Sequence, residues 1–98
     1  MDHVNNNEKF LSYLKRNHTG AGKDVQSKCL EMKFQMSGQK IRDIVNTLRC
    51  EGHQICSDDG GYYYAANRYE VSGSIRQLNS RIEKIAEALS NLHIVDDI

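Results

Sequence analysis

An α+β fold is predicted by three features of this chain: a short capped helix that stops at a glycine, a β-hairpin directly behind it, and a long heptad-patterned helix further on. The first two lie in Ser37–Ala65. Ser37 is placed to cap a helix by accepting a backbone N–H bond. Ile41, Ile44, Val45 and Leu48 follow at i, i+3, i+4 and i+7, one apolar stripe at helical period. Gly52 stands where that helix should stop, because glycine takes a left-handed C-cap without penalty. Ile55 and Cys56 open an extended run, Asp59-Gly60 or Gly60-Gly61 supplies positive φ angles for a two-residue hairpin turn, and Tyr62, Tyr63 and Tyr64 are good strand residues. A helix followed at once by a hairpin is the second half of a winged helix-turn-helix. The expected fold is therefore α+β, a winged helix-turn-helix of three helices plus a β-hairpin wing, with a long C-terminal helix.

The other elements follow from caps and periodicity. Met1–Val4 is expected to be frayed. Asn5 and Glu8 have capping-box spacing, and helix 1 should run about Asn6–Asn17 with Phe10, Leu11 and Leu14 inward. His18–Gly22 forms a loop, and Val25 carries a short strand within Lys23–Gln26. Ser27 caps helix 2, about Lys28–Phe34, which buries Cys29 or Leu30 together with Met32 and Phe34. After the turn Gln35–Ser37, helix 3 covers about Gly38–Glu51 and the wing about Gln54–Ala65.

Asn67 and Glu70 repeat the capping spacing ahead of helix 4, about Arg68–Leu92. Its apolar residues are Val71, Ile75, Leu78, Ile82, Ile85, Leu89 and Leu92, with gaps alternating between four and three. That is a heptad seam, with Ile75, Ile82 and Leu89 at a and the others at d. So small a domain cannot cover the whole seam, so the expected cover is the same helix of a second chain. The alternative folds helix 4 back on helix 1. The domain organisation expected is a winged domain over 5–66 and an amphipathic dimerisation helix over 67–93.

The run IRDIVNxLRxEGxxICSDxxGYYYA, Ile41–Ala65, resembles the small winged-helix proteins encoded by phages and prophages of Gram-positive bacteria. The likeness covers Ser37–Ala65, and more loosely Phe10–Phe34. It implies a DNA-binding fold with a regulatory or replicative role.

Composition bounds what such a protein does. Ninety-eight residues make one domain with an appended helix. The 13 basic and 13 acidic residues balance, whereas a nucleic-acid binder is usually basic, which counts against strong non-specific DNA affinity. There is no apolar run long enough for a membrane span and no secretory signal. Three cysteines without paired spacing suggest a reducing compartment, so the expected location is the cytoplasm of a bacterial host cell.

Helix 3 is the expected reading helix. With its stripe inward, Gln39, Asp43, Asn46 and Cys50 project outward, Arg42 and Arg49 share one flank, and Lys40 and Thr47 share the other. Gln and Asn make bidentate contacts to adenine, and Arg reads guanine or binds phosphate. Gln39, Lys40, Arg42, Asn46 and Arg49 are the expected base and phosphate contacts, with Lys23 and Lys28 adding phosphate contacts. Asp43 at the centre would be repelled by DNA unless it accepts from a cytosine amino group or pairs with a neighbouring arginine. The bland alternative is a solvated helix face. The wing tip Ser57–Gly61 carries Asp58 and Asp59 where minor-groove wings carry Arg or Lys, so it should stay off the DNA. The three tyrosines alternate faces and are read as packing residues rather than a stacking platform for single strands.

No catalytic constellation is visible. Asp58-Asp59 and Asp96-Asp97 sit in a turn and a tail, and there is no phosphate-binding glycine loop, nucleophile elbow or HExxH. Cys50, His53 and Cys56 have a ligand-like spacing, but Cys50 should point outward from its helix while Cys56 lies on a strand, so no metal or cofactor is expected. Two functions remain. The first is a homodimer reading duplex DNA. The second is a protein-interaction module that binds and inhibits a host replication, transcription or defence protein, which the neutral charge, the acidic wing and Asp43 fit better.

Overall fold

Residues 5–92 are described by the structure, a computed structural model. Met1–Val4, His93 at the expected end of the C-terminal unit, and the Asp96-Asp97 pair lie outside them. The described chain is α+β: four α-helices and a two-stranded antiparallel hairpin. Helix α1 is Asn6–Asn17, capped by Asn5, whose side chain accepts from the Glu8 amide at 2.8 Å. Helix α2 is Ser27–Phe34 and α3 is Gly38–Cys50. Strands β1, Ile55–Asp58, and β2, Gly61–Tyr64, form the hairpin, and α4 is Arg68–Asn91.

The core is built where the sequence periods converge. Phe10 and Leu14 of α1, Leu30 of α2, and Ile41, Ile44, Val45 and Leu48 of α3 are all buried. Phe34 closes the α1–α2 side, its ring 5.6 Å from those of Phe10 and Tyr13. Each buried aliphatic or Phe side chain contributes about 1.5–3 kcal/mol.

Ser37 caps α3 by accepting from the Lys40 amide. At the other end, His53 N–H reaches the Leu48 carbonyl and Gly52 N–H the Arg49 carbonyl, with Gly52 at φ 97°. These two bonds make a Schellman motif, which turns the chain straight into β1.

The hairpin forms a layer with two partners. Ile55 pairs with Tyr64, and Ile55, Tyr62 and Tyr64 pack toward the α1–α3 core. Cys56 pairs with Tyr63, and both are buried, with the Cys56 thiol 3.6 Å from the Glu70 carbonyl of α4. The free edge of β2 is covered by 18–25. Val25 and Tyr62 exchange two backbone bonds at 2.8 Å, and Gly20 and His18 bond Tyr64. The strand expected through Val25 is thus a single bridge, reached through a 3₁₀ turn at Ala21–Lys23.

Three expectations are corrected, and one alternative is set aside. Ser27 does not cap α2. It is the first helical residue, Gln26 precedes it without a side-chain cap, and the Ser27 hydroxyl donates to the Glu31 carboxylate at 3.0 Å. Met32 is not buried but 80 % exposed, because an eight-residue helix turns only one narrow face to the core, and Leu30 occupies it. Neither Asp59 nor Gly60 takes a positive φ. Gly61 does, at 131°, while the Asp58 side chain accepts from the Gly60 amide across the turn. Finally, α4 does not fold back along α1. It packs on β1 through its first turns, and every residue from Asn79 to Leu92 is exposed. The start of α4 is held by Glu70, whose carboxylate accepts from the amides of Ala66 and Ala21, 49 positions away in the second case.

Candidate functional site

An open groove of about 490 Å³ runs between α3 and the hairpin. Arg42, Val45, Asn46 and Arg49 of α3 form one wall, and the hairpin from Ser57 to Tyr62 forms the other. Gln26 and Ser27 at the start of α2 and Arg81 of α4 complete the lining. Burying Ile41, Ile44, Val45 and Leu48 fixes which side of α3 faces this groove, since polar residues at 39, 42, 43 and 46 then turn outward.

The exposed face of α3 is a hydrogen-bonded strip. Arg42 Nη2 donates to Gln39 Oε1 at 2.9 Å, and Gln39 Nε2 donates to Asp43 Oδ1 at 2.9 Å. Asp43 is therefore linked to Arg42 through the Gln39 amide, which donates to the carboxylate and accepts from the guanidinium. Asn46 is exposed beside this strip.

Arg49 is held differently. It is half-buried, its Nε donates to the Ile55 carbonyl at 2.8 Å, and Nη2 donates to the Ser57 hydroxyl at 3.3 Å. Burial and the nearby Arg81 charge lower its pKa, opposed by Tyr62 and Cys56. Arg49 thus ties α3 to β1, and only part of its guanidinium faces the groove.

The hairpin wall is acidic. Asp58 and Asp59 line the groove, and Asp24 approaches from the covering segment so closely that a Cβ on Gly60 would overlap its carboxylate. The hydrogen bond to the Asp58 side chain, then burial and the Asp58 charge, raise the Asp24 pKa. The groove therefore has a cationic wall on α3 and an anionic wall on the hairpin.

The residues expected to contact DNA do not all meet there. Arg42, Asn46 and Arg49 share the groove, and Gln39 adjoins it through Arg42. Lys40 is exposed on the other flank of α3, Lys28 is exposed in the first turn of α2, and Lys23 is exposed in the 3₁₀ turn, none of them in the groove lining. Of the heptad residues, Val71 and Leu78 are half-buried, while Ile75, Ile82, Ile85, Leu89 and Leu92 are exposed.

Sequence reasoning missed Arg81, Gln26 and Ser27. Arg81 shares a face of α4 with Ser74, seven residues earlier, and Leu78, three earlier, but only the tertiary packing of α4 on β1 shows that this face meets the hairpin. Elsewhere, Lys9, Arg16 and Lys33 surround half-buried Tyr13 and Phe34 in a shallow cleft on α1 and α2, with the Lys33 ammonium 4.7 Å from the Tyr13 ring centre. Among the described residues no helix is long and apolar enough to cross a membrane. Comparison of the chain with protein-family models, with curated proteins and with solved structures gives no match.

Proposed function

We propose that this chain is a winged helix-turn-helix DNA-binding protein of a phage or other mobile element, regulatory or replicative, acting in the bacterial cytoplasm. It reads duplex DNA with α3 as a homodimer joined through α4 and uses no cofactor. The observation that carries the reading is the outward face of α3, where Gln39, Arg42 and Asn46 stand in a row on a rigid helix anchored by four buried aliphatic residues. These are the side chains that read adenine and guanine edges, and a helix is the element a major groove admits. The order of helix and hairpin is compatible with a winged domain. The dimer is supported by α4, which leaves the domain after Leu78 with its apolar stripe uncovered.

The test is a titration of the protein with random-sequence duplex DNA at low and moderate salt. Binding should weaken with a log–log slope of roughly −0.9 per phosphate contact, as condensed counterions are released. Absence of binding at low salt would overturn the reading.

A second reading is favoured by the carboxylates of the hairpin wall, Asp58 and Asp59, with Asp24 beside them. They would attract a cationic segment of a host protein, and the domain would then act by occupying that protein. Its binding should respond far less to salt than DNA binding does, because a packed protein interface depends less on counterion release.

A further inference from the structure

Wings that enter a minor groove carry Arg or Lys, whereas here the hairpin wall carries Asp58 and Asp59. A guanidinium nonetheless lies beside that wall. Arg81 leaves α4 one turn beyond Leu78, is exposed, and lines the same groove as Arg42, Asn46 and Arg49. We propose that Arg81 is a phosphate contact of the reading groove, supplied by the dimerisation helix in place of a basic hairpin tip. The inference rests on the DNA-binding reading above.

Three observations carry it. The Arg81 charge is felt at Arg49, so the two guanidiniums share one field. Arg49 already gives two of its donors to Ile55 and Ser57, which leaves Arg42 and Arg81 as the groove arginines with more of their fork to offer. Arg81 also immediately precedes Ile82, the first seam residue beyond Leu78, which is exposed, so a partner docked on the seam would fix the backbone that carries it.

A competing role is open to the same side chain. Arg81 borders Asp58 and Asp59 in a second depression with Gln77 and Ser80, and it could act only by offsetting their charge. The two roles separate in a double-variant experiment. Arg81→Ala and Arg81→Lys are made in the wild-type chain and in an Asp58→Asn, Asp59→Asn background. Each is titrated by fluorescence anisotropy with a random-sequence duplex at about 50 and about 200 mM salt, where one lost phosphate contact removes about 0.9 from the slope. Circular dichroism and light scattering check fold and assembly.

Losing one contact makes the advantage of wild type over Arg81→Ala shrink roughly 3.5-fold across that fourfold salt range. Arg81→Lys should keep the wild-type slope, and the Ala effect should persist in the Asn background. An unchanged slope for a folded Arg81→Ala chain, or an effect that vanishes in the Asn background, overturns the inference while leaving DNA binding intact. Wild type that fails to bind at the lower salt overturns the DNA reading and this inference with it.

Discussion

If α4 joins two chains as proposed, replacing Ile82 and Leu89 with Asp should give a monomer without unfolding the domain. Ile82 is 61 % and Leu89 is 70 % exposed, so about two-thirds of their apolar surface is uncovered in a single chain. Full burial of such a side chain is worth about 1.5–3 kcal/mol, which leaves about 1–2 kcal/mol per residue for a partner to supply. Two residues in each of two chains make about 4–8 kcal/mol. At 1.4 kcal/mol per decade, even the lower figure weakens the dimer about a thousandfold. Placing carboxylates in the seam adds to the loss. Neither side chain touches the core, so the tyrosine signal of the hairpin should be unchanged, while helical signal falls because an uncovered helix end frays. Light scattering at tens of micromolar reads the result. Wild type that scatters as a monomer, or a double variant that still dimerises, would refute the reasoning.

Two further outcomes concern the groove's hairpin wall. Gly61→Ala should cost at least ~2 kcal/mol in a urea titration, because Gly61 sits at φ 131° and a Cβ there would overlap the Val25 carbonyl that bonds Tyr62; an unchanged midpoint would contradict this packing. Asp24→Asn should raise the melting temperature at neutral pH, and the gain should disappear in acid. The sign follows from linkage: Asp24 has a raised pKa in the folded chain, so the folded state holds its proton more tightly, and stability falls as pH climbs from the ordinary carboxylate value through the raised one. Asn donates to Asp58 without a charge, so it keeps above that window the stability that wild type has only below it. A variant equally stable at neutral and acid pH relative to wild type would show that Asp24 and Asp58 do not interact.

Local rules carried most of the fold. The bounds of α1, the Ser37 cap, the buried stripe of α3, the strands and the seam of α4 each depend on residues within a few positions, and each was legible from spacing. What was not legible depends on distance. Glu70 was read as a capping residue, yet its carboxylate also grips Ala21 across the fold. Arg49 was read as a free flank cation beside Arg42. No local rule says that β1 will present the Ile55 carbonyl and Ser57 hydroxyl to it. Gly61 rather than Gly60 takes the left-handed backbone because the Val25 segment crosses its face, a contact set by tertiary packing. Met32 followed apolarity where the short α2 had room for Leu30 alone. Within the site, the α3 strip was readable from helical period, whereas Arg81 required knowing which face of α4 lies on the hairpin.

The claim that α3 reads DNA is tested most directly by an Arg42→Ala, Asn46→Ala double variant titrated with duplex against wild type. Both side chains are exposed and outside the core, so circular dichroism should report an unchanged fold. A bidentate base contact is worth about 1–3 kcal/mol, so the variant should bind at least tenfold more weakly, with a shallower salt slope if either group holds phosphate. A folded double variant that binds duplex as tightly as wild type, with the same slope, would contradict the account and transfer the function to the acidic hairpin and a protein partner.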